Sequence, residues 1–272
     1  MKVVILTGGQ LRHDYFRKRL ALDPNIEVLA SYCEFNNKLA KMVDKGESLL
    51  AREHLRIRTQ SEEDFFREFV TYTNDNSNPK FIEAGNINSE DIVNEIIGLV
   101  PDLIISYGCS IIKSELLTVF KNRFINLHLG LSPYYVGSGT NFWPFVNREP
   151  EYCGVTFMYI DSGIDTGNII HQIQANSGCT DHPIVIGNRL IQKMTKVCIN
   201  MLIHFDKLEI KEQVDLDINS KSYRNIDFTD ESVIDYYNNF SNSIKSILSD
   251  DKKLDKKLDK KLKLIHQSFL EK

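Results

Sequence analysis

Short apolar or β-branched runs, separated by helix-length stretches, constrain this chain more than any other feature. Val3–Leu6 ends at Thr7-Gly8-Gly9 and leads into an amphipathic stretch from Leu11 to Leu22, which reads as strand, glycine turn, helix. Asn25–Tyr32, carrying Ile26, Val28 and Leu29, reads as a second strand, and Phe81-Ile82 as a brief third. Asn36–Asn74 has a helical pattern with a break expected around Leu55–Ser61. The reason is Ser61-Glu62-Glu63-Asp64, which looks like a helix start with a Ser N-cap and acids in the first turn. Ser89-Glu90-Asp91 opens another helix, with Ile92, Val93, Ile96 and Ile97 on one side, and Pro101-Asp102 ends it. Leu103–Tyr107 reads as a strand buried on both faces of a parallel sheet, and Phe124–His128 as its successor. Alternation of this kind predicts an α/β fold: a Rossmann-like, mostly parallel sheet flanked by helices.

The texture then changes. Leu129–Pro150 is loop-rich, with Pro133, Gly137, Gly139 and Pro144. Tyr152–Ile160 and Asn168–Ile173 read as two strands around the turn Asp161–Gly167, and Asp181-His182-Pro183 caps a helix that runs to about Phe205. Residues 1–207 are therefore assigned to a catalytic domain and residues 208–272 to a small, polar C-terminal extension. In that extension Leu254, Leu258 and Leu262 alternate with Asp-Lys-Lys. The repeat reads as a solvated, partly helical tail, with a docking or homodimer helix as the functional alternative.

At 272 residues the chain suits one full domain plus an appendage. A net charge of −4 weighs against a general nucleic-acid binder. No apolar run approaches the roughly 20 residues of a membrane helix, and the N-terminal apolar stretch is too short for a leader. A soluble, cytoplasmic protein is expected, with no membrane partner. The five cysteines, Cys33, Cys109, Cys153, Cys179 and Cys198, are scattered without CxxC spacing, so neither a disulfide framework nor a zinc finger is implied. His171 and His182 lack metal-ligand spacing, and no metal is expected.

Chemistry concentrates between Asp102 and Ile170. Ile125-Asn126-Leu127-His128 ends a strand with Asn and His two apart, hence on one face. The C-terminal edge of a parallel sheet is where ligands bind in such folds. Asp165 sits between Gly163 and Gly167, in a tight loop able to present its carboxylate to the same edge. Asp161 is read as shaping that turn. These residues, with Leu131-Ser132-Pro133-x-x-x-Gly137 and Gly154-Val155-Thr156, resemble the folate-dependent formyltransferases. The resemblance covers about residues 1–205 and is strongest over 102–170. It implies transfer of a formyl group from 10-formyltetrahydrofolate to a primary amine. By that resemblance Asn126 and His128 stabilise the oxyanion, and Asp165 orients His128 and helps move the proton. It places Tyr107, Gly108, Cys109, Ser110, Ile111, Asp161 and Ile164 against the folate, largely through backbone groups. Gly8, Gly9 and Arg12, in the first loop, would hold a phosphate of the acceptor, or else form a plain strand-to-helix turn with Arg12 in solvent. Tyr134 and Trp143, beside the proposed site, are candidates for stacking on a base or sugar, or for core packing.

Within that family three acceptors compete. Methionyl-tRNA formyltransferases carry a C-terminal β-barrel, which the 65 Lys-rich residues after Lys207 do not resemble. Glycinamide ribonucleotide formyltransferases use a Gly-Ser-Asn-rich phosphate loop, unlike Thr7–Arg12. The expectation is therefore an amino sugar on a nucleotide carrier, although His128-Leu129-Gly130-Leu131 departs from the usual His-Pro run. A formyltetrahydrofolate deformylase and a non-catalytic binding protein are the rival classes. Gly8-Gly9-Gln10 resembles the tripeptide of peptide release factors but follows a first strand, and Gly137-Ser138-Gly139 lacks the third glycine of a dinucleotide fingerprint.

Overall fold

The computed structural model describes residues 1–35, 48–175, 181–211, 213, 220–248 and 262–271. Five strands are parallel neighbours: β1 (Lys2–Gly8), β2 (Glu27–Phe35), β3 (Pro79–Glu83), β4 (Leu103–Tyr107) and β5 (Phe124–His128). β7 (Gly154–Tyr159) and β8 (Ile169–Gln174) add antiparallel to β5, giving the order β3-β2-β1-β4-β5-β7-β8. The expected mixed, mostly parallel sheet is present. Strand order reverses between β1 and β4, so the crevice beyond their C-terminal ends is the natural ligand site.

Period-two alternation divides the core between the two faces of the sheet. Val3 and Ile5 point to the face covered by α1 (Leu11–Ala21), α2 (Leu49–Tyr72) and α6 (Pro183–Ile203), against Phe16, Leu20, Phe66 and Met194. Val4 and Leu6 point to the other, against Val93 and Ile96 of α3 (Glu90–Gly98) and Leu116 of α4 (Ser114–Val119). All four β1 side chains are fully buried. Truncating a ring such as Phe66, also fully buried, would cost about 3–5 kcal/mol.

The helix α2 corrects one expectation. It runs without the break anticipated at Leu55–Ser61, and its N-cap is Ser48, whose side chain accepts from the Ala51 N–H. Ser61 is not a cap. Its Oγ instead accepts from Asn188 Nδ2 of α6 at 2.9 Å, and the next residue, Glu62, is buried. Ala51, His54, Glu62 and Phe66 form one buried face along the helix, so packing against its neighbours overrides the local capping signal. The part of the expected helical stretch before Ser48 lies outside the described residues.

The segment 129–150 contains β6 (Tyr135–Gly137) and the single turn α5 (Trp143–Val146). β6 pairs with β9 (Lys221–Tyr223), which belongs to the C-terminal extension. α7 (Asp230–Leu248) also belongs to that extension and packs on α2 and α5. Residues 262–271 return to the edge of the sheet. The Gln172 N–H donates to the Ile265 carbonyl at 2.7 Å, the Gln267 N–H donates to His171 Nδ1 at 3.0 Å, and Leu270 is fully buried. Leu254, Leu258 and Cys179 lie outside the described residues; the other four cysteines are free. Among the described residues no helix is long and apolar enough to cross a membrane.

Candidate active site

β4 and β5 end side by side, with Ser106 paired to Asn126. Ser106 Oγ donates to Asn126 Oδ1 at 3.0 Å, which leaves the amide nitrogen facing Asp165 Oδ1 at 3.4 Å. Nδ1 of His128 lies 3.3 Å from the same carboxylate oxygen, and Nε2 lies 3.2 Å from the Tyr135 carbonyl. Both ring nitrogens therefore face oxygens. Asp165 itself adopts φ 56°. The loop closes tightly two residues on, where a Cβ at Gly167 would overlap the Tyr159 carbonyl oxygen. Asp165 Oδ2 accepts the Gly137 N–H at 2.9 Å. Asp161 acts as the turn builder, its Oδ1 accepting from the Gly163 N–H at 2.9 Å and the Thr166 hydroxyl at 2.7 Å.

Asn126, His128 and Asp165 open on a cavity of about 900 Å³. One wall consists of Tyr107–Ile112 and Asp161–Gly167, including every residue expected against the folate. Ile111 and Ile164 stand 75% and 60% exposed, two apolar side chains at a polar surface. Burial pushes the Cys109 thiol up to about 12, with Glu34 adding to it, so this cysteine stays a neutral thiol. That wall is positioned by Glu34, a fully buried residue of β2 that no sequence pattern marked.

The opposite end carries two arginines on one carboxylate. Arg12 Nη1 lies 2.6 Å and Arg58 Nε 3.4 Å from Glu62 Oε1. Burial works against the Arg12 charge, and Glu62 and Tyr107 together more than offset it; Arg58 is pulled below its ordinary value, first by the charge of Arg12 and then by burial. His13 Nδ1 accepts the Gln10 N–H at 3.2 Å, which puts the ring proton on Nε2. Burial, then the charges of Arg12, Arg58 and Arg17, hold His13 neutral. Its Nε2 and Arg12 Nε are buried without a partner among the described residues. Two cations, one anion and unused donors make an electropositive corner at the first turn of α1, between β1 and β4. Arg12 was expected here from the sequence and Arg58 was not, although Arg58 and Glu62 form an i,i+4 charge pair on a helix, a signal able to find it.

Three expected acceptor contacts are placed elsewhere. Gly8 packs on the His13 ring and Gly9 on Phe35, and neither lines the cavity. Tyr134 packs on Tyr152, ring centroids 5.0 Å apart, and its hydroxyl reaches the Lys263 carbonyl, outside the cavity. Trp143 does line it, stacked on Tyr223 at 4.2 Å, with Nε1 donating to the Ser138 carbonyl. Phe142, Phe228 and Tyr236 extend this aromatic wall.

His171, His266 and Glu271 approach one another elsewhere, as metal ligands do. The Gln267 N–H on His171 Nδ1 leaves the proton on Nε2, which faces Glu271 at 3.4 Å, and Lys193 Nζ lies 2.5 Å from the same carboxylate. A protonated nitrogen and an ammonium describe an ion-paired clamp rather than a ligand set.

Comparison with known proteins agrees with this fold. Residues 40–202, more than half of the chain, match the family model described as Formyl transferase. The chain is 34% identical over 100 residues to a methionyl-tRNA formyltransferase of Desulforamulus reducens, covering 37% of this chain and 31% of that one. It is 37% identical over 89 residues to the Clostridioides difficile enzyme of the same name, covering 32% and 28%. The matched stretch thus spans about a third of the length of these relatives. Among solved structures, a sugar N-formyltransferase from Shewanella superposes with TM-score 0.55 at 19% identity, covering 84% of this chain and 78% of that one. A phosphoribosylglycinamide formyltransferase from Streptococcus pneumoniae superposes with TM-score 0.52 at 15% identity, covering 76% and 99%. At such identities the likeness is one of fold. The family match over residues 40–202 means that the chain belongs to the formyl transferase family.

Proposed function

We propose that this chain transfers the formyl group of 10-formyltetrahydrofolate to a primary amine. The observation that carries this reading is the Asn126–His128–Asp165 cluster opening on a cavity between a backbone-rich wall and an electropositive corner. The folate supplies the activated formyl carbon. Asn126 offers an amide N–H to an oxygen gaining negative charge, and His128, whose ring nitrogens face Asp165 and the Tyr135 carbonyl, would share a ring N–H with it. Donors held ready in this way contribute a few kcal/mol to the barrier. The attacking amine must lose a proton and the departing nitrogen must gain one; the Asp165–His128 pair can hold it in between. Tyr107–Ile112 and Asp161–Gly167 would hold the flat ring of the folate, with Ile111 and Ile164 covering it.

The acceptor carries an oxyanion group, bound by Arg12 and Arg58. Of the two acceptors compatible with that chemistry, methionyl-tRNA has the stronger support, from the sequence relatives. A nucleotide-linked amino sugar is the second reading, supported by the aromatic wall of Trp143, Tyr223 and Phe228 beside the arginines. The discriminating experiment measures tetrahydrofolate release from 10-formyltetrahydrofolate with methionyl-tRNA, with dTDP- and UDP-linked amino sugars, and without any amine. Release that requires one amine identifies the acceptor class. Release without amine assigns a deformylase, and no release in any arm overturns the proposal.

A further inference from the structure

β6 touches both catalytic partners although it is only three residues long. Its first residue, Tyr135, offers the carbonyl that faces His128 Nε2, and its last, Gly137, donates its N–H to Asp165 Oδ2. A strip this short cannot hold its own position, and among the described residues its only ladder is with β9 of the C-terminal extension.

The contact between the two is close and well anchored. Gly137 has φ 91°, and a Cβ there would overlap the Tyr223 carbonyl oxygen, so only glycine allows β9 to lie so near. The Lys221 N–H donates to the Tyr134 carbonyl at 2.9 Å and the Ser138 N–H to the Tyr223 carbonyl at 2.8 Å. Side chains repeat the link. The Tyr135 hydroxyl donates to Glu149 Oε2 at 2.5 Å, and Lys221 Nζ meets that same oxygen at 2.5 Å. Asn147 Nδ2 donates to the Tyr135 and Tyr223 hydroxyls at 2.9 and 2.7 Å. A second residue of the extension reaches the other partner: Gln213 Nε2 donates to the Asp165 and Gly167 carbonyls, each at 2.9 Å.

We infer that the C-terminal extension is a working part of the catalytic centre, in which Lys221, through Glu149 and Tyr135, and Gln213, through the Asp165 backbone, are positioning residues for the His128–Asp165 pair. The extension grips the pair from both sides, one grip per partner. Neither Lys221 nor Gln213 touches Asn126, His128 or the Asp165 carboxylate, so their effect passes through geometry. Displacement of reacting groups by about 1 Å costs up to a hundredfold in rate. This inference rests on the formyl-transfer reading for its kinetic consequence and on the hydrogen bonds of β6, β9 and Gln213 for its structural one.

The test uses the full chain with Lys221→Met, Lys221→Arg, Gln213→Ala and the Lys221→Met/Gln213→Ala double variant. Long-range 1H–15N correlation spectra of the histidine-labelled protein report the His128 ring, its signal assigned by loss in His128→Gln. Lys221→Met and Gln213→Ala are expected to move the His128 nitrogen shifts while leaving those of His266 in place, and Lys221→Arg to restore them. With the acceptor that the tetrahydrofolate-release assay identifies, kcat is expected to fall roughly tenfold or more in each single variant with KM for the folate unchanged. If the parent transfers no formyl group but the His128 signals respond, the functional reading fails and the positioning role stands. Unmoved His128 signals in both Lys221→Met and Gln213→Ala, each folded as shown by the rest of its spectrum, overturn the inference.

Discussion

Glu34 accepts the backbone N–H of Ser110 at 2.6 Å through one carboxylate oxygen. Its other oxygen accepts the Gly85 N–H at 2.8 Å, and the side chain has no exposure to solvent. A single buried carboxylate on β2 thus ties down the loop after β4 that forms the expected folate wall. Glu34→Gln keeps the shape but turns one acceptor into an NH2 that meets an N–H. The unsatisfied pair costs about 1–3 kcal/mol. Urea unfolding should show that loss, and KM for 10-formyltetrahydrofolate should rise. A variant as stable as the parent would refute this account of the loop.

Asp165→Asn preserves the acceptor for the Gly137 N–H but removes the carboxylate charge and the proton carrier. Tetrahydrofolate release should fall by about 10²-fold or more. The new NH2 meets the Asn126 amide nitrogen, so the melting temperature should fall by about a few degrees, too little to account for the lost activity. Full activity in Asp165→Asn would remove this residue from the chemistry.

Arg58→Gln deletes one of two cations facing a single carboxylate, and Glu62 keeps its closer partner, Arg12. The fold should tolerate the change. Charge-assisted hydrogen bonds contribute about 1.5–3 kcal/mol, so KM for the acceptor should rise roughly ten- to hundredfold with kcat unchanged. The salt dependence of acceptor binding should weaken in parallel. An unaltered acceptor KM would place the anionic group elsewhere.

Stability should depend on pH through the buried histidines. Burial, ahead of any neighbouring charge, pushes both His54 and His171 down to about 4. Unfolded imidazoles take up a proton near 6.5, so between these values the unfolded chain binds more protons than the folded one. Their contribution is complete above pH 6.5 and is lost as pH falls towards 4, at about 3 kcal/mol for each. Urea titrations at pH 7.5, 5.5 and 4.5 should show this decline, and His171→Asn should flatten its slope. Equal stability at the three pH values would contradict the burial argument.

The sheet was legible because its strands are locally consistent. Val3–Leu6, Leu103–Tyr107 and Phe124–His128 are buried on both faces, and an apolar run bounded by turn residues reports that without tertiary information. Asn126, His128 and Asp165 were legible for a related reason: period two aligns the first two, and flanking glycines mark a loop able to carry the third. The continuous α2 was misread because Ser61 carries the side chain of a cap but uses it on Asn188. Cap preference is worth about 1 kcal/mol, and a buried helix face outweighs it.

Chain connectivity, turn residues and the hydrophobic period determined the α/β class and the edge at which the chemistry sits. These are local properties, written within a few residues of where they act. Tertiary structure alone decided which residues support that edge. Glu34 reaches Ser110, Arg58 joins Arg12 over Glu62, and Lys221 and Gln213 of the extension close on β6 and the Asp165 loop. Each is a pairing between groups distant in the chain, whose partners are chosen by packing of the whole domain. No local pattern encodes such a choice, because a lone carboxylate or amine in sequence is equally compatible with solvent.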